Sequence, residues 1–150
     1  MKIFGMAACC AVAVFATGVA TPQTQAEMIV GAWNCSADTQ DGLVSGQMVY
    51  NADGTTDAVL KIEMDIDGSN LVAQVGTRSS WKLRGGGVIE EQILEAVLYS
   101  ARVDGVDLPE DVRADIEDGL LEELGPSSIE LTSSQMVLVD EQGTRTVCTR

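Results

Sequence analysis

The sequence predicts a mainly β protein: a small antiparallel barrel with one inserted amphipathic helix at about 107–124. Three observations lead there. Apolar and polar residues alternate with period two in many short segments. Asp-Gly pairs and a glycine run separate those segments. Residues in the first and last of them fall into a register that would close the sheet on itself.

The alternation is plainest where Leu60, Ile62, Met64 and Ile66 interleave with Lys61, Glu63, Asp65 and Asp67, giving a strand with one wet face. Asp53-Gly54 reads as a hairpin turn joining it to the preceding segment, Leu43 to Tyr50. Asp67-Gly68 marks the next turn, leading to Leu71, Ala73 and Val75. Trp81 and Leu83 then alternate with Lys82 and Arg84 until Gly85-Gly86-Gly87 breaks the run. Ile129 and Leu131, Met136 to Val139, and Thr144 to Thr149 supply further short strands, the last two separated by Gln142-Gly143. Such a series fits an antiparallel barrel or sandwich. Val88 to Val103 fits a helix or a strand; its β-branched residues and its strand neighbours favour strand. After it, Leu108, Val112, Ile116, Leu120 and Leu124 recur every fourth residue as one apolar stripe. Asp107 reads as the helix N-cap with Glu110 as its capping-box partner and Pro109 in the first turn, and Gly125-Pro126 as the stop.

The first 26 residues read as a signal peptide: Lys2, an apolar run from Ile3 to Ala20, then a polar stretch ending at Ala26. A cut after Ala20 is the competing site, and an uncleaved anchor is the alternative for a run of this length. Cys9 and Cys10 would leave with the peptide. The remaining chain, 27–150, is 150 less 26, or 124 residues, and forms one domain. The formal net charge is −14, from 23 acidic against 9 basic residues, and no histidine occurs. Phosphate backbones would repel such a chain, so no nucleic-acid partner is expected, and a charged protein partner would be basic. In an oxidising compartment Cys35 and Cys148 would pair, closing a loop worth about 4–5 kcal/mol in chain entropy; two free thiols are the alternative.

If the first and last strands pair antiparallel with Cys35 opposite Cys148, then two residues along each strand Trp33 stands opposite Arg150. A guanidinium over an indole would hold the closure, worth roughly 0.5–2 kcal/mol. Gly31-Ala32-Trp33 with Arg150, together with Asn51-Ala52-Asp53-Gly54 and Ser80-Trp81-Lys82-Leu83, resembles the calycin superfamily, in particular the small lipocalin-like domains of exported bacterial proteins. The resemblance implies a cup-shaped barrel whose tryptophan and basic side chain close one end. It departs from the family in lacking a Thr-Asp-Tyr motif and in placing the helix before the last strands.

Chemistry-bearing patterns are sparse. The usual general base is missing with histidine, and no serine has a histidine partner. Asp65-x-Asp67-Gly68 and Asp104-Gly105-x-Asp107 are fragments of calcium loops without the full set of ligands. Glu90 and Glu91 read as solvated. The expectation is a non-enzymatic, periplasmic or secreted protein without cofactor or metal. Its barrel would hold a small apolar ligand or lipid, lined by Leu60, Ile62, Met64, Leu71, Val75, Trp81 and Leu83. Two alternatives stand beside it: a module binding a basic protein, such as a protease inhibitor, and an envelope accessory with a filled barrel.

Overall fold

The computed structural model describes residues 23–121 and 123–150. Most of the expected signal peptide therefore lies outside the described residues. Among those described, no helix is long and apolar enough to cross a membrane. A short helix α1, Gln25–Ile29, opens with a capping box in which Thr24 and Glu27 satisfy each other's backbone N–H groups. Strands β1 (Gly31–Thr39), β2 (Gly42–Tyr50), β3 (Thr55–Ile66), β4 (Ser69–Arg84) and β5 (Val88–Val103) follow as antiparallel hairpins. The two-residue strand β6 (Val106–Asp107), helix α2 (Glu110–Gly119) and strands β7 (Glu123–Leu131), β8 (Gln135–Val139) and β9 (Arg145–Thr149) complete the chain. Pairing of β4 with β5 and of β9 with β1 closes eight strands, all except β6, into an antiparallel barrel.

Turn chemistry sets the hairpin registers. Asp67 and Gly68 take φ +54° and +84°, and Asp104 and Gly105 take +49° and +82°. Two successive residues in the left-handed region match the twist of two-residue hairpins. The two calcium-loop fragments are thus turn signals: Gly68 donates its N–H to Asp65, and Asn70 donates to Asp104.

Segment 88–103 is one long strand with two bulges. Tyr99 and Leu94 are skipped in its pairing with β4. Each extra residue inverts the inside–outside phase. Ile89 and then Leu98 and Ala101 are therefore buried, while Val97 and Tyr99, which unbroken alternation would put on the same side as Ile89, are exposed.

Helix α2 is shorter than the periodicity predicts, because strands claim both ends of the segment expected to be helical. Asp107 belongs to β6 and pairs with Arg102 at 2.7 Å instead of capping the helix, and Pro109 holds the N-cap position. Leu124 and the expected stop, Gly125-Pro126, lie in β7. There the two residues oppose only Glu90, an irregularity that accommodates a proline lacking an N–H.

The helix occupies a place in the barrel wall. The chain runs beside β5 throughout: β6 pairs with Arg102 and Val103, β7 with residues 88–92, and α2 lies between. There Arg113 donates to the carbonyl of Leu98 at 2.5 Å, and Glu117 accepts its N–H at 2.6 Å. Two side chains thus stand in for a missing strand edge. Arg102 to Gln92, with its two bulged residues, lies opposite Val72 to Ser80 and spans roughly 27 Å; Asp107 to Glu123 can reach about 35 Å with ten residues coiled at ~1.5 Å each, enough to run alongside it.

Apolar packing forms two layers. One gathers Ile29, Trp33, Tyr50, Ile89, Ile129 and Met136 around the cysteines at one end. The other sets Leu108, Ile116 and Leu120 against Ala73, Leu98 and Ala101.

Candidate functional site: a barrel cavity above a closed end

The closed end is built from the Gly-x-Trp segment. Trp33 is fully buried and donates its indole N–H to the carbonyl of Ile29 at 2.7 Å, tying α1 under the barrel. The Arg150 Cζ lies 4.1 Å from the Trp33 ring centroid. Its guanidinium donates to the carbonyls of Met28 at 2.9 Å, Val30 at 3.0 Å and Ser133 at 2.9 Å, bridging three segments. Gly31 has φ +130°, and a Cβ there would meet Arg150 Nη1 at 3.0 Å. Glycine is required at this position because the guanidinium crosses it. Cys35 pairs directly opposite Cys148, and the two form a disulfide.

Above this layer is a cavity of 550 Å³, within the range of roughly 300–1,000 Å³ that small-molecule sites occupy. Its apolar wall includes Cys35, Val44, Met48, Leu60 and Leu138. The turn from Asp140 to Thr144, at the end of β8 and β9 away from Arg150, borders it. Asp140 is occupied in shaping that turn, accepting N–H bonds from Gln142 and Thr144.

The residues expected to line the barrel do not share one surface. Leu60 lines the cavity. Trp81 and Leu83 pack on the Trp33 layer, where Trp81 meets Tyr50 edge-on at 5.9 Å and donates to the carbonyl of Thr55. Val75 is buried, and Ile62 packs on the Ala73 layer. Met64 and Leu71 face each other across β3 and β4, half-buried, and do not border the cavity.

Glu91 corrects the sequence reading. Its neighbour Glu90 is on the outside, paired with Arg84 at 2.9 Å and Lys82 at 3.4 Å. Glu91 borders the cavity. The Tyr50 hydroxyl donates to its Oε1 at 3.0 Å. Burial pushes the Glu91 carboxyl above the ordinary glutamate value, outweighing the Tyr50 bond that lowers it. Burial and the Glu91 charge together push Tyr50 well above the ordinary tyrosine value. The signal in the sequence is position: Glu91 lies two residues from buried Ile89, on the inward side of β5.

On the outside, Val59, Val97 and Tyr99 form an exposed apolar patch beside a shallow 340 Å³ groove across β2 to β5. No protein-family model matches the chain, and no curated protein is similar to it.

Proposed function

We propose that the protein is an exported, lipocalin-like, non-catalytic barrel of the calycin type that holds a small ligand with a substantial apolar part in its interior. The supporting observation is the cavity: a recess of 550 Å³, walled by aliphatic side chains with polar residues among them, above a closed end built from Gly31, Trp33 and Arg150. A filled barrel would leave no such space. The disulfide suits an oxidising compartment, in keeping with export.

Titration with the neutral apolar dye N-phenyl-1-naphthylamine tests the reading. Wild-type protein is expected to give saturable fluorescence enhancement, and Val44→Trp, which fills the recess, to abolish it while the circular dichroism stays that of wild type. Absence of saturable binding by the wild type, with no ligand retained in native mass spectrometry, refutes the reading.

The outer patch at Val59, Val97 and Tyr99 favours a second reading, a module that binds a basic protein through an apolar spot set in an acidic surface. Salt-sensitive capture of a basic periplasmic protein that is lost with Tyr99→Asp supports it, and capture unaffected by that change removes it.

A further inference from the structure

We infer that the barrel ligand is a cationic amphiphile, an apolar body bearing one protonated amine that seats against the Glu91 carboxylate. The inference rests on the cavity reading above and narrows it to a class of ligand.

The argument starts from an unbalanced side chain. Glu91 projects from β5 between the Trp33 layer and the cavity, beside Tyr50 and opposite Trp81 in the sheet register. A carboxylate has two oxygens and about four acceptor sites. Among the described residues only the Tyr50 hydroxyl reaches it, at Oε1, and none of the four ion pairs includes it. Buried carboxylates are ordinarily matched by a cation or several donors, because desolvation is otherwise uncompensated. Here the residue also borders open space large enough for a ligand.

The surroundings decide the sign of the guest. The cavity that Glu91 borders is lined by Met48, Leu60 and Leu138 together with serine and threonine hydroxyls, and among the described residues no lysine or arginine lines it. Glu141 stands at the border of the cavity, and the whole chain carries −14. A fatty-acid anion would set a second carboxylate near the first, which disfavours ionisation of both. A neutral alcohol can donate one hydrogen bond. An ammonium donates up to three, and a charge-assisted bond is roughly twice as strong as a neutral one. The site therefore ranks equal-length amphiphiles in the order amine, alcohol, acid.

The test displaces bound N-phenyl-1-naphthylamine with dodecylamine, dodecanol or dodecanoate at pH 7.5, below micelle-forming concentrations. Dodecylamine is expected to displace the dye at about a tenfold lower concentration than dodecanol, with dodecanoate weakest. Glu91→Gln keeps an acceptor for Tyr50 and is expected to bind the dye normally while bringing amine and alcohol together. Asp140→Asn with Glu141→Gln is expected to leave most of the preference. Lowering the pH on wild-type protein provides an arm that needs no variant: the amine preference is expected to fade as Glu91 protonates. If the dye does not bind wild-type protein, the cavity reading itself fails. If it binds but amine and alcohol compete equally, or the preference survives both Glu91→Gln and acidification, the inference is overturned and the apolar cavity stands.

Discussion

Removing the Cys35–Cys148 bridge is the most informative perturbation of the fold. The bridge joins residues 113 apart in sequence. In the chain-entropy model a loop of that length gives about 4.8 kcal/mol of stability, by restricting the unfolded chain. Domains of this size are commonly stable by roughly 5–15 kcal/mol in total, so the bridge carries a large share. Both cysteines are buried in the Trp33 layer, which makes Cys35→Ala/Cys148→Ala the suitable variant; serines would bury two hydroxyls there. Urea unfolding followed by tryptophan fluorescence should show the midpoint falling by about 2–3 M at an ordinary slope. The native β1–β9 ladder is held by its own pairing, so the circular dichroism before the transition should match wild type. A stability loss below about 1 kcal/mol would refute the reasoning, because the unfolded chain would then already hold its distant ends together.

Three further outcomes follow from particular contacts. Arg150→Ala removes three carbonyl hydrogen bonds and the stack on Trp33; because Arg150 is exposed, the expected loss is a discounted ~2 kcal/mol in urea unfolding, with Arg150→Lys losing about half, and a lysine variant as stable as wild type would sink the bridging role. Thr56 is buried with no partner for its hydroxyl among the described residues, so Thr56→Val should raise stability by about 1 kcal/mol, and a decrease in melting temperature would show that the hydroxyl is satisfied. Glu91 has a folded pKa above its ordinary 4.5, so its favourable contribution is complete below about pH 4.5 and is lost as pH rises through the folded value. Glu91→Gln should therefore gain on wild type between pH 4 and pH 8 in urea midpoint, and a constant difference across that range would contradict the burial of this carboxylate.

The sequence made the barrel legible because its strands obey simple alternation and its turns carry the residues their geometry demands. Leu60 to Ile66 and the Asp67-Gly68 hairpin needed no tertiary information. The partnership of β1 with β9 followed from two cysteines and the spacing of Trp33 and Arg150 around them. What escaped was whatever depends on departures from regularity. Bulges leave no compositional mark, so simple alternation from Ile89 puts Val97 and Tyr99 on the wrong face. The ends of α2 were obscured because a four-residue apolar repeat can run on into strands, as Leu124 does. Glu91 was lost against an acidic background, where two adjacent glutamates on a strand look alike although one faces water and the other a cavity.

The two bulges of β5 also mark where this chain can change length. Leu94 and Tyr99 have no partner on β4. Deleting Leu94 alone would leave Ile93 opposite Ser79 and Glu95 opposite Arg78, so Ile89, Leu98 and Ala101 would all stay inside the barrel. Deleting Tyr99 alone would likewise leave Leu98 opposite Val75 and Ser100 opposite Gln74. A relative shortened at either position keeps its inward residues, whereas losing a paired residue such as Val97 would put its neighbours on the wrong face unless a bulge moved to absorb the change.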